Sequence, residues 1–152
     1  MTNANDERWM SRAVELAQIA EDAGEVPVGA LLVHEGHVIG EGWNQPISSH
    51  DTTAHAEIMA LRAATQELKN YRLPDDVSLY VTLEPCPMCA GAMVHARVAR
   101  VVYGASDPRS GAAGSVFNIL HSTELNHRAE IIPGVMASRC SELLKEFFKR
   151  RR

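Results

Sequence analysis

A chain of 152 residues, 45% apolar and 22% charged, is long enough to bury one core and too short for two ordinary domains, so residues 1–152 read as a single domain. Its ordinary composition excludes a low-complexity or fibrous protein, and no apolar run reaches the length that spans a bilayer. The net charge of −4 does not suggest a nucleic-acid binder, yet residues 145–152 (KEFFKRRR) hold five of the 15 basic residues and one of the 19 acids, leaving the remainder at −8. Such a basic end suits phosphates, although helices also commonly finish in Lys and Arg to complement their dipole. The opening MTNANDERWM lacks the apolar stretch of a secretion signal, so a cytoplasmic location is the expectation.

From Asp6 to Ala23 the residues Trp9, Ala13, Leu16, Ala17 and Ala20 recur at helical spacing, and Gly24 closes that helix. Residues 28–33 and 38–39 flank His34-Glu-Gly-His37 as a β-hairpin. A polar loop from Asn44 to Thr53 leads into a second helix with Ile58, Leu61, Thr65 and Leu68 on one side. After a break at Pro74-Asp-Asp76, Val77, Leu79, Val81 and Leu83 alternate with Ser78, Tyr80 and Thr82, the pattern of a strand. Residues 89–97 read as a helix, 98–103 as a strand, 111–114 as a flexible loop and 130–132 as a fifth strand. Met136, Cys140, Leu143, Leu144 and Phe147 make one face of a last helix, with Phe148 about 100° off that face and so exposed. This order predicts an α/β fold, a central sheet covered by helices.

Two short stretches carry the chemistry: Thr53-Ala-His-Ala-Glu57 and Glu84-Pro-Cys-Pro-Met-Cys89. Cys86 and Cys89, three apart at the first turn of a helix, share a face and can reach one ion, and Pro87 suits the first helical position. Three cysteines without a secretion signal argue against a disulfide framework. The close pair alone is compatible with a redox dithiol or half of a structural zinc site. His55 and Glu57, two apart, would point about 200° from each other inside a regular helix. They can serve one site only at a helix start, for which residues 51–53 offer capping groups. His55, Cys86 and Cys89 supply three ligands and leave a fourth tetrahedral position for water, the arrangement of a catalytic zinc. Cys140, on an apolar stripe, reads as a buried free thiol rather than a fourth ligand. Glu57 is either an ordinary helix carboxylate or the group that takes a proton from the water and passes it on. The other six histidines read as surface or structural residues.

The pattern His55-x-Glu57 with Pro85-Cys86-x-x-Cys89 resembles the signature of the zinc-dependent nucleobase deaminases, of the cytidine/deoxycytidylate deaminase superfamily. The blocks at residues 25–30, 40–44, 53–61, 83–86, 89–93, 111–115 and 126–128 are similar to those of the bacterial tRNA-specific adenosine deaminases, from about residue 9 to the C-terminus. That resemblance implies a cytidine-deaminase-like α/β/α fold with a mixed five-stranded sheet, one zinc per subunit, and a homodimer. The implied reaction is conversion of the wobble adenosine of a tRNA anticodon stem-loop to inosine. It also implies roles by motif. His55, Cys86 and Cys89 would hold zinc and Glu57 would shuttle the proton. Asn44 and the backbone N–H of Ala56 would meet the target base, between walls formed by Val28 and Leu83. Asp107 would meet the sugar of a neighbouring nucleotide, and Phe148 would stack on an unpaired base. The chain departs from the family pattern at Thr52, where Pro is frequent, and at Pro108-Arg109, where Lys is common nearby. Alternatives to keep in view are a small-molecule deaminase of cytosine or guanine, a non-enzymatic zinc module, and a redox protein.

Overall fold

The computed structural model describes residues 2–151, which form nine elements: α1 (Asp6–Asp22), β1 (Gly29–His34), β2 (His37–Trp43), α2 (Ala56–Leu68), β3 (Ser78–Leu83), α3 (Pro87–Ala96), β4 (Arg100–Ala105), β5 (Glu130–Ile132) and α4 (Ala137–Arg150). The strands make one sheet in the order β2-β1-β3-β4-β5. β1 pairs antiparallel with both β2 and β3, whereas β3, β4 and β5 run parallel. The sheet is therefore mixed and five-stranded, as the resemblance implied.

The hairpin between β1 and β2 turns at Glu35-Gly36, both with positive φ, the backbone that two-residue hairpin turns require. β2 runs on to Trp43, four residues beyond the predicted strand, because it is an edge strand whose polar positions His37 and Glu41 can stay wet. The alternation along β3 predicts one covered face, but Leu79, Tyr80, Val81 and Thr82 are all buried. β3 lies in mid-sheet with helices on both sides: Leu79 and Val81 pack towards α2 and α3, and Tyr80 packs towards α1 and α4.

Helix α2 buries a different stripe from the one its larger residues suggest. Ala56, Glu57, Ala60, Leu61 and Ala64 are buried, while Ile58, Thr65 and Leu68 lie half-buried beside them. Small residues on both partners explain this. A Cβ on Gly42 of β2 would stand 2.5 Å from the Ala60 amide nitrogen, and one on Gly40 would stand 2.7 Å from that of Ala64. The helix thus lies almost backbone to backbone on β2, and its N-terminus is held near the carboxyl ends of β2 and β3.

On the opposite face α1 and α4 pack around Met10, Leu16, Leu31, Val102 and Leu143, and α1 also lies close on β1, where a Cβ on Gly29 would stand 2.5 Å from the Ala17 amide nitrogen. Asp6, with no exposed surface, accepts hydrogen bonds from Arg100 (2.9 and 2.8 Å) and from the Tyr80 hydroxyl (2.7 Å), tying the start of α1 to β3 and β4. Burial raises the Asp6 carboxyl, but the Arg100 guanidinium, the Asn3 amide and the Tyr80 hydroxyl outweigh it and hold Asp6 down at about 2. No described helix is long and apolar enough to cross a membrane.

Candidate active site

The site forms where two helices begin. His55 is the residue before α2 and Cys86 the residue before α3, both with extended backbone, and Pro87 takes the first helical position of α3. Asp51 and Thr53 do not cap α2. Instead the Asp51 carboxylate accepts from the Thr53 amide (2.9 Å) and hydroxyl (2.7 Å), folding the loop on itself just upstream. Neither helix start has a side-chain cap of its first-turn amides.

The metal-ligating atoms of His55, Cys86 and Cys89 lie within 4.8 Å of one another. His55 Nδ1 stands 3.6 Å from Cys86 Sγ and 3.5 Å from Cys89 Sγ. A tetrahedral ion at about 2.3 Å from sulfur and about 2.0 Å from nitrogen would separate N and S by about 3.5 Å. The three residues are therefore placed to bind a metal. Cys140 is not near them: it is buried under α4 on the other face of the sheet, against Gly104 of β4.

The electrostatics centre on the thiols and Glu57. The Cys89 side chain donates to Cys86, and with the His55 ring this draws Cys86 down to about 4. Cys89 is pushed far up by the same bond, by burial and by the Glu57 charge. Glu57 is buried, and desolvation raises its carboxyl to about 7, with the Cys86 thiolate adding to the effect. A carboxyl in this range can both take and return a proton near neutral pH.

A small cavity of about 240 Å³ opens onto these groups. Its walls include Val28, Asn44, His55, Glu57, Leu83, Cys86 and Asp107. Asn44 is held by its amide bonding the Val28 carbonyl (3.1 Å). Ala56, the first residue of α2, buries its side chain, leaving the helix-start amide as its available polar group. Phe148 does not line this cavity. It is half-exposed in an adjoining groove of about 620 Å³ with Val26, Leu83, Asp107, Leu144 and Arg151.

The basic end of the chain is partly engaged within the fold. Arg150 pairs with Glu21 (2.9 Å), and Arg151 donates to the Gly24 carbonyl (3.2 Å) while lying 4.6 Å from the Phe147 ring. Arg152 lies outside the described residues. Of the late-loop histidines, His127 Nε2 is 2.7 Å from the Val98 carbonyl and His121 Nδ1 is 3.3 Å from that of Ala129, so both bind backbone.

Two buried carboxylates escaped the sequence reading. Glu25 accepts from the Ile47 amide (3.3 Å) and from the Ser48 amide and hydroxyl (2.6 and 2.7 Å). Glu84 accepts from the amides of Asp107, Ala113 and Ser115 (3.0, 3.0 and 3.1 Å) and from the Ser115 hydroxyl. Burial raises each carboxyl, but the serine and amide donors outweigh it and hold both below the ordinary range. An acid beside an apolar run, as in Gly24-Glu-Val-Pro-Val28 and Tyr80-Val-Thr-Leu-Glu84, was the available signal.

The sequence profile of the MafB19-like deaminase family matches residues 4–152. The chain is 52% identical to the tRNA-specific adenosine deaminase of Haemophilus influenzae, over 97% of this chain and 85% of that protein. It is 44% identical to the one of Bacillus subtilis, over 95% and 89% respectively. Among solved structures, one from studies of A-to-I editing by tRNA:A34 deaminases at the wobble position superposes with a TM-score of 0.86 at 41% identity, covering 90% of this chain and 99% of that one. A guanine deaminase from Nitrosomonas europaea superposes at 0.83 with 25% identity, over 97% of this chain and 86% of its own. With these matches spanning nearly all of the sequence, the chain belongs to the deaminase family that contains the tRNA-specific adenosine deaminases.

Proposed function

We propose that this protein is a hydrolytic deaminase that converts adenosine to inosine at the wobble position of a tRNA anticodon, with one Zn2+ held by His55, Cys86 and Cys89. The observation that carries the reading is the meeting of two uncapped helix starts around a His, two Cys and a desolvated Glu at the floor of a small cavity. The relatives named for adenosine in tRNA select the substrate. A mixed thiolate and imidazole set suits zinc, and bound zinc supplies a water activated at neutral pH.

The rest of the reaction falls to the chain itself. Water adds to the ring carbon bearing the amino group, ammonia departs, and inosine remains. Glu57 accepts the proton that the water gives up and delivers it to the leaving amine. Asn44 and the Ala56 N–H orient the base, and Val28 and Leu83 confine it. Asp107, on the shared rim of cavity and groove, meets the neighbouring sugar, and Phe148 stacks on an unpaired base further out. The substrate partner is the anticodon stem-loop.

The reading extends to a single domain over 1–152, acting in the cytoplasm as a homodimer. Support for the dimer comes from α3. Its outward residues Met88, Gly91, Ala92 and His95 continue an otherwise apolar helix, and apolar helices are normally covered all round. Outside its own helix backbone and chain neighbours, no atom of the described residues lies within 4 Å of where a Gly91 Cβ would be, so packing against the rest of the chain does not require glycine there. A mid-helix glycine costs roughly 0.5–1 kcal/mol against alanine, and a facing backbone from a second copy accounts for it. Light scattering at micromolar concentration should give twice the mass of 16.7 kDa, and Gly91→Glu should return the chain to a monomer.

The deciding experiment uses an anticodon stem-loop RNA with adenosine at the wobble position. Zinc-loaded protein should produce inosine, read by mass spectrometry after digestion, and none from a cytidine-wobble RNA. A protein that deaminates free guanine or cytosine but leaves this RNA unchanged would establish the small-molecule reading instead.

A further inference from the structure

We infer that Glu84 is a positioning residue that sets the Asp107 wall of the substrate site in register with the metal-binding half. The inference rests on the deaminase reading above for the role of Asp107, while the geometry behind it stands independently. Glu84 sits at the junction of β3 and the metal-binding turn, two residues before Cys86, and only 2% of its surface is exposed. Its amide donates to the Ala105 carbonyl (2.8 Å), continuing the β3–β4 pairing past the strand end.

The carboxylate then clasps both ends of residues 107–115, the first part of the long connection between β4 and β5. Oε1 accepts from the Asp107 amide, where this segment begins, and from the Ser115 hydroxyl, where it ends. Oε2 accepts from the amides of Ala113 and Ser115. Four donors fill the two oxygens, so this group has little capacity left to bind substrate. Gly111 lies against the same carboxyl so closely that any Cβ there would overlap it. Pro85 adds a second tie, its carbonyl accepting from the Ala112 amide (2.8 Å).

Within the loop, the Asp107 carboxylate accepts from the amides of Arg109 (2.9 Å) and Ser110 (3.3 Å) and from the Ser110 hydroxyl (3.1 Å). These bonds fix the side chain relative to its own loop, while the Glu84 clasp and the Pro85 carbonyl, together with burial of Ala112 and Ala113 in the core that holds Cys89, fix the loop relative to Cys86. A flexible exposed wall is thereby converted into one whose place is measured from the metal site. The functional consequence is that base and neighbouring sugar are read on one rigid frame, and an error of about 1 Å in such a frame can lower efficiency about a hundredfold.

Glu84→Gln is the test, because it keeps the shape while turning an NH2 towards amides that also donate. With stem-loop RNA, KM should rise about tenfold to a hundredfold with kcat changed less than threefold and zinc content unchanged. Combined with Asp107→Ala, the double variant should be no worse in KM than Asp107→Ala alone. Ser115→Ala, which removes one of the four bonds, should shift KM the same way by a smaller factor. Hydrogen exchange gives a readout independent of turnover: amides of residues 107–115 should exchange faster in Glu84→Gln while those of α2 do not change. Unaltered exchange in that loop would overturn the clasp itself. Additive KM effects, or a fall in kcat with zinc loss, would assign Glu84 to the metal half instead. If wild-type protein leaves the RNA unedited but the exchange result holds, the deaminase reading fails and the clasp survives.

Discussion

The two faces of the sheet share one packing device and differ in what it holds in place. On the α2–α3 side, glycines and alanines bring helix and strand backbones close together, and the two helix starts are aimed with little freedom at one point. On the α1–α4 side the device recurs between β1 and α1, where a Cβ on Gly29 would stand 2.5 Å from the Ala17 amide nitrogen, and the Asp6–Tyr80–Arg100 group ties the start of α1 to β3 and β4. Close backbone approach and apolar burial thus serve both faces, and what separates them is the polar group each positions: a His, Cys and Glu set at a cavity on one face, a buried ion cluster on the other.

Variants on each face should therefore fail in different ways. The largest effect is expected from Glu57→Gln on the catalytic face: turnover on stem-loop RNA should fall 10²–10⁴-fold, with metal content and unfolding midpoint nearly unchanged. Undiminished inosine formation by that variant would remove Glu57 from the proton path. Asp6→Ala on the opposite face should do the reverse, lowering stability by about 3–5 kcal/mol in urea titration while kcat/KM per folded molecule stays level. If activity fell in step with stability, the two faces would not be separable.

Gly42→Ala probes the close helix approach on the α2 side. Its new methyl group would meet the α2 backbone at Ala60, a clash expected to cost about 1–3 kcal/mol. Because that push displaces the helix that presents His55 and Glu57, activity should drop as well as stability, unlike in Asp6→Ala. Metal affinity measured against a competing chelator would show whether His55 has moved.

Acid should loosen the α1–α4 face in a defined range. Asp6 has a folded value of about 2 against 3.8 for a free carboxyl, so the unfolded chain takes up the proton first as pH falls. Its contribution is present above about pH 4 and is lost as pH drops towards 2. Thermal melts across that range should show a decline that Asp6→Asn makes shallower. Glu25 and Glu84, also held below the ordinary range, act with the same sign at the loops around the site. For that reason the variant should flatten the decline without abolishing it.

Much of this molecule was legible in its sequence. Helical spacing located α1, α2 and α4, alternation located β3, and Glu35-Gly36 located the hairpin, since each is a local property of consecutive residues. The motifs at residues 55–57 and 86–89 pointed to His55, Cys86 and Cys89, which the fold brings within reach of one ion, for a similar reason: a ligand pattern depends on residue type and on the start of a helix. Local pattern misled where neighbours decide. The expected cap from Asp51 became a loop-internal bond, and the buried stripe of α2 shifted to its alanines because Gly40 and Gly42 admit the helix backbone. Nothing in sequence spacing brings Glu84 to Ser115, or Arg151 to Gly24, across so many intervening residues. The sequence by itself determined which elements form and which side chains can bind a metal, because both follow from short-range chemistry. Only the tertiary structure decided that two distant helix starts converge, and that buried carboxylates hold the walls around them, because long-range packing and the pairing of buried polar groups set those positions.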